Sequence, residues 1–109
     1  MRATATMALI VILGVGQTAE SRPISPRRVT VHIANFAFAP ADTAVAQGDT
    51  VVWINDDDFE HVVAADSAAW KSPTLTHGQR FSLVVMGTGR VSYHCAAHPV
   101  MHGALTISK

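Results

Sequence analysis

Cysteine is almost absent from this chain: Cys95 is the only one in 109 residues, so no internal disulfide can form. Charge is sparse as well, at 15% of residues, and it balances, with 8 Lys plus Arg against 8 Asp plus Glu. The cations are scattered, Arg27-Arg28 being the only basic pair, and this excludes a general nucleic-acid binder, whose phosphate affinity needs clustered cations. A convincing apolar stripe at helical spacing is also missing, which argues against a helical bundle. The composition is nevertheless that of a folded domain, 49% hydrophobic, and the length suits one domain.

No apolar run is long enough to span a bilayer, which takes roughly 20 residues. The run Met7–Gly16 (MALIVILGVG) follows Arg2 at the extreme N-terminus and reads as the apolar core of an export signal. Residues 1–19 are therefore expected to be a signal peptide. The cut falls between Gly16 and Ser21, because cleavage after Ala19 leaves Gln17 where a small side chain is usual. An apolar strand or buried helix is the competing reading of the run. Residues 20–28 read as a linker and residues 29–109 as the domain. A periplasmic or otherwise exported location follows, with no membrane span after signal removal.

A domain of that length buries only about 60–65% of its unfolded surface, and small exported domains often add disulfides. This one cannot. Its lone thiol is either a buried, inert side chain, a partner for another chain, or a metal ligand. A metal would also stabilise the fold.

Beyond the signal the sequence reads as short strands. Val29, Val31 and Ile33 share one face, with His32 opposite. Ala39-Pro40-Ala41-Asp42 breaks the chain, Thr43–Ala46 is a weak strand, and Gln47-Gly48-Asp49 is a turn. Thr50–Ile54 is a strong β run closed by Asn55-Asp56-Asp57-Asp58, and His61–Ala64 is apolar and partly β-branched. Arg80–Val85, Arg90–Cys95 and Gly103–Ser108 follow. Residues 65–77 fit a helical turn or a loop equally well. About six or seven strands at close spacing predict an all-β, antiparallel Greek-key sandwich.

The chemistry sits in Cys95-Ala96-Ala97-His98-Pro99-Val100-Met101. A thiolate, an imidazole and a thioether follow directly after a strand, a donor set that suits copper in both oxidation states. Alternation puts Cys95 on the face of Val91 and Tyr93, and Pro99 holds His98 in extended backbone. One loop leaves a trigonal site short of a nitrogen. His61, just after the acidic turn, is the best second histidine, and the strand ending at Asn55 could bring that residue beside the site. Cys95 as a plain core thiol and Met101 as core filler remain open alternatives. His102 rivals Met101 as a ligand, while His32, His77 and His94 read as non-ligands. Asp56–Asp58 with Glu60 reads as a solvated turn, and secondarily as a docking patch. Trp53 is expected in the core; Trp70 has no obvious place.

These segments resemble the cupredoxins, the type I blue copper proteins, and among them the amicyanin-like and plastocyanin-like kinds. The resemblance runs from about Val29 to Ile107. It rests on Phe36-x-Phe38-x-Pro40, Gly48-Asp49-Thr50-Val51-Val52-Trp53-Ile54-Asn55, His61, and Tyr93-His94-Cys95-x-x-His98-Pro99-x-Met101-x-Gly103. It implies one copper ion cycling between Cu(I) and Cu(II), with His61, Cys95 and His98 as close ligands and Met101 as a weak axial one. It also implies that Asn55 tethers the two ligand segments near the thiolate. The function implied is electron transfer, not catalysis, with redox protein partners of dehydrogenase or cytochrome type docking near the exposed edge of His98. A monomer is expected. The dense acidic run beside His61 departs from the pattern. Two rivals are a copper carrier or storage module and an enzyme, but four protein ligands leave no position for substrate, and a binuclear centre would need a second cysteine.

Overall fold

The computed structural model describes residues 25–109. The signal-peptide assignment for residues 1–19, and the linker as far as residue 24, lie outside the described residues. Among the described residues no helix is long and apolar enough to cross a membrane.

Among the described residues eight strands follow one another: β1 (Arg28–Ala34), β2 (Ala37–Ala39), β3 (Asp42–Ala46), β4 (Thr50–Asn55), β5 (Val63–Ala65), β6 (Arg80–Val84), β7 (Gly89–Cys95) and β8 (His102–Ser108). They form two four-stranded sheets, ordered β2-β1-β4-β6 and β3-β8-β7-β5. The fold is the all-β sandwich that the strand pattern predicts, with one difference. Each sheet is mixed: β1 pairs with β4, and β3 with β8, in parallel. The chain leaves β1 through the β2 hairpin, crosses to the opposite sheet as β3, and returns beside β1 in its original direction. Crossing connections of this kind bring strands of like direction together, which local patterning cannot reveal.

Alternation along the strands places Val31 and Ile33 of β1, Val51 and Trp53 of β4, Tyr93 and Cys95 of β7, and Leu105 and Ile107 of β8 in one core. Trp53 meets Tyr93 edge-on at 5.3 Å between ring centroids. Trp70, unplaced by the sequence, lies on the loop after β5 and covers this cluster, 5.4 Å from Trp53. Residue 65 closes β5, and residues 66–77 form a loop whose Leu75 bridges His61. Strand β5 starts at Val63, later than the sequence predicts, and leaves His61 in that isolated bridge. The three-residue strand β2 was not expected.

Two features of this frame carry expected results. The first is Gly103, which faces Tyr93 across the β7–β8 pair. A Cβ there would lie 2.6 Å from the Tyr93 hydroxyl oxygen and overlap its ring. Tyr93 is fully buried and cannot swing away. Gly103→Ala should therefore cost at least about 1–3 kcal/mol, the range for overpacking. Chemical denaturation of the metal-free protein checks this, and a loss under about 0.5 kcal/mol would contradict it.

The second is Asp49, whose buried carboxylate accepts the amide hydrogens of Arg27 at 2.8 Å and Ala46 at 2.9 Å, tying the turn before β4 to the chain entering β1. The Ala46 and Arg27 amides hold its acidity below the usual carboxylate range, against burial, with a smaller contribution from the Arg27 guanidinium. A depressed folded-state pKa stabilises the fold above the unfolded carboxyl's pKa, and that stabilisation disappears as pH falls through the folded value. Asp49→Asn should weaken the fold at neutral pH and flatten its acid dependence below about pH 4. Thermal melts of both proteins from neutral to acid pH would show the two curves converging; parallel curves would refute it.

Candidate metal centre

The site lies at one end of the sandwich, where β4, β5 and β7 finish or begin. Cys95 closes β7 with its sulfur inward, as alternation from Tyr93 requires, and is fully buried. His61, equally buried, precedes β5. Its backbone exchanges hydrogen bonds with Leu75, the amide donating at 3.1 Å and the carbonyl accepting at 2.8 Å. His98 is half-buried. The loop that carries it is closed by its own backbone: the His98 amide donates to the Cys95 carbonyl, the Met101 amide to the His98 carbonyl, and the Cys95 amide to the Met101 carbonyl.

These constraints gather the donors. The Cys95 sulfur lies 3.7 Å from Nδ1 of His61 and 3.7 Å from Nδ1 of His98, and all three ligand atoms lie within 4.8 Å of one another. Bonds of about 2.3 Å to sulfur and about 2.0 Å to nitrogen, set roughly 120° apart, would separate S and N by about 3.7 Å. The observed spacing fits a trigonal ion of that size. Met101 is buried in the same cluster as Cys95. His102, the rival for its place, is exposed on the outer face of β8, opposite His94, and does not join the group.

The surroundings constrain the donors. The Val62 amide donates to the Cys95 sulfur at 3.3 Å, which fixes the direction in which the sulfur points. Nε2 of His61 lies 2.9 Å from Oδ2 of Asp57. A carboxylate can only accept, so that nitrogen carries the proton and Nδ1 is left free to bind a metal. Burial opposes ionisation of Asp57, but the Phe36 amide, the His61 ring and the Asn35 amide outweigh it and keep the carboxyl below the usual range.

Asp57 corrects the expectation of a wholly solvated acidic turn. Asp58 and Glu60 are exposed, but the Asp57 side chain is only 12% so. Besides binding His61, it accepts the amides of Asn35 at 2.6 Å and Phe36 at 2.9 Å. Those two residues turn the chain from β1 into β2 with φ of 54° and 57°. Asparagine tolerates that left-handed region, whereas a bulky residue such as Phe36 resists it. The Phe36 ring, so placed, stands edge-on to His61 at 5.3 Å and to His98 at 5.1 Å.

Asn55 also departs from expectation. Its amide donates to the carbonyls of Phe59 and Leu75, both at 2.8 Å, and its oxygen accepts the Asp57 amide. All three bonds stay on the His61 side, where they fix the 55–61 turn. The two ligand segments are joined instead by the Val62 amide on the thiol sulfur and by the Ala96 amide donating to the Val62 carbonyl at 2.9 Å.

Residues 27–108 match the family model of copper binding proteins, plastocyanin/azurin family. The chain belongs to this family. Among curated relatives of this cupredoxin, amicyanin of Paracoccus denitrificans is 33% identical over 84 residues, which cover 72% of this chain and 64% of that protein. Amicyanin of Paracoccus versutus is 25% identical over the same shares. This cupredoxin's match thus spans somewhat less than two thirds of those relatives. Among solved structures, a Cu(I) form of an amicyanin variant superposes with a TM-score of 0.71 at 31% identity, covering 78% of this chain and 86% of that one. A purple cupredoxin from Nitrosopumilus maritimus gives 0.69 at 26% identity, covering 73% and 99%. The donor set fits the family's copper: one soft sulfur and two imidazoles, the sulfur and the His61 ring fully buried and His98 half-buried.

Proposed function

We propose that this protein carries single electrons between redox protein partners in an exported compartment, with its copper held by His61, Cys95 and His98 and weakly by Met101. The observation that carries this reading is the pair of 3.7 Å separations between the Cys95 sulfur and the two Nδ1 atoms. Bound copper would supply the exchange between Cu(II) and Cu(I). The chain's own part is to keep the donors where both states accept them. Asp57 orients His61, Leu75 fixes its backbone, the Val62 amide fixes the direction of the sulfur, and the closed 95–101 loop limits movement of His98. Little then rearranges on electron transfer, and four protein ligands leave no place for a substrate.

Partners are expected to dock over His98, the ligand nearest the surface. Exposed Phe36, Phe59 and Val100 form an apolar area around it, and Asp58 and Glu60 share a shallow cleft with Phe59, Ala97 and His98. An apolar centre with an acidic rim favours a partner that carries cations around its own cofactor edge. Voltammetry of the copper-loaded protein should give a reversible one-electron wave at moderate scan rates. Tight Cu(I) retention without such a wave would favour a copper carrier instead.

A further inference from the structure

Strand β6 is an edge of its sheet, paired on one side only, with β4. Among the described residues the other edges are covered, short or partly used. Residues 70–72 fold back over β5, the Trp70 carbonyl accepting the Ala65 amide at 3.0 Å and the Ser72 amide donating to the Val63 carbonyl at 2.7 Å. Strand β2 has three residues, and in β3 the Ala46 amide is taken by Asp49. Ladder parity sets which groups of β6 face outward. The Asn55 amide donates to the Gln79 carbonyl at 3.0 Å and the Val85 amide to the Asp49 carbonyl at 2.9 Å, so positions 79, 81, 83 and 85 bond towards β4. The amides and carbonyls of Arg80, Ser82 and Val84 therefore point out of the sheet, and no group among the described residues bonds to them. Natural edges are usually blunted by a central charge, a proline or a bulge. Strand β6 has its one charge, Arg80, at the end, and exposes Val84 at 54%.

We infer that β6 is the interface of a symmetric dimer, in which β6 of a second copy lies antiparallel to it about a twofold axis at Ser82. In that register Ser82 meets Ser82, Arg80 meets Val84, and Phe81 meets Leu83. The outward groups then face one another, each pair of residues exchanging both of its hydrogen bonds. Only registers of this parity join those groups, and the one centred on Ser82 uses all three positions. The side chains agree. Phe81 and Leu83 are half-buried on the inner face. Beside them opens an apolar groove of about 330 Å³, lined by Trp70, Leu83, Val85 and Val91 among others and by no charged side chain. The twofold register delivers Phe81 of the second copy opposite Leu83, at that groove. On the outer face the aliphatic stem of Arg80 covers the exposed Val84, and no like charges meet. A surface that completes itself in this way is the isologous kind. Strand β4 runs towards the copper end, and the axis reverses direction, so the two metal centres fall at opposite ends of the joined sheet with both His98 edges open. The monomer expected from the sequence is then the dilute form.

A contact between two five-residue strands belongs with the weak interfaces under about 1,200 Å², so half-dimerisation is expected at about 0.01–1 mM. The test is sedimentation velocity of the copper-loaded protein across that range, with NMR of the backbone amides in the diamagnetic Cu(I) form. The sedimentation coefficient should rise with concentration, and the amide resonances of Arg80, Ser82 and Val84 should move with it. Ser82→Pro removes the central donor at a position where an edge strand tolerates proline, and Val84→Lys sets a second cation opposite Arg80. Each should weaken association about tenfold or more, while the visible spectrum of the copper stays that of the parent. A protein that stays monomeric to about 1 mM would overturn the proposal, and slow exchange of its Ser82 amide would show the edge covered by the protein's own chain instead. A dimer that both variants leave unchanged would overturn it equally. Self-association does not depend on electron transfer, so either reading can fail alone.

Discussion

Copper-loaded Cys95→Ser is expected to be colourless where the parent protein is intensely blue. The colour of a trigonal thiolate site comes from charge transfer out of the sulfur, and a serine hydroxyl offers neither the soft donor nor the anion at neutral pH. Serine is slightly smaller than cysteine and can still accept the Val62 amide, so the metal-free fold should survive and its far-ultraviolet spectrum should match the parent. The comparison thus separates loss of the ligand from loss of the protein. Visible absorption of the oxidised form reads the result. A variant that kept its strong band would place the sulfur outside the copper's coordination and end the blue-site reading.

The second large effect is expected at Asp57, a residue that binds no metal itself. Asp57→Ala removes the acceptor for Nε2 of His61 and for the amides of Asn35 and Phe36 in one step. The ring loses the partner that selects its tautomer. The left-handed turn loses the anion that holds two adjacent amides, and Phe36 is freed from its place against both imidazoles. Loss of a carboxylate behind a ligating histidine typically lowers metal affinity about 10–100-fold, and the turn should add a loss of stability measurable without metal. Asp57→Asn keeps an oxygen acceptor and should fall between Ala and the parent. Competition titration of Cu(II) with a chelator of known affinity gives the order. Equal affinity in all three proteins would show that the contact with His61 is incidental.

The grouping of His61, Cys95 and His98 could be anticipated in the sequence because these side chains are chemically conspicuous. A lone cysteine with His98 and Met101 a few residues beyond it has few other uses, and the inward aim of Cys95 follows from alternation in β7. His61 could be proposed from residue type and resemblance, and folding puts its ring beside Cys95 from 34 positions away. Asp57 could not be singled out. Asp56, Asp57 and Asp58 are consecutive in a turn without periodicity, yet one pairs with His32, one with His61, and one faces solvent at 93%. Phe36 was legible as part of a motif, but its contact with the ligands depends on a two-residue hairpin turn that neither Asn35 nor Phe36 announces. Asn55 was placed near the site correctly and given the wrong partners, because spacing reveals proximity and not the direction of an amide. The parallel pairings stayed hidden for a similar reason, since strand direction is set by long connections.

Those parallel pairings bear on how the three donors are held. Strand β8, the last of the described strands, pairs with β7 beside the ligand loop and also holds β3 from the first half of the chain. A chain lacking it would have the thiol but not the enclosure around it. The grouping of the three donors is thus a property of the assembled sandwich and not of the 95–101 loop by itself.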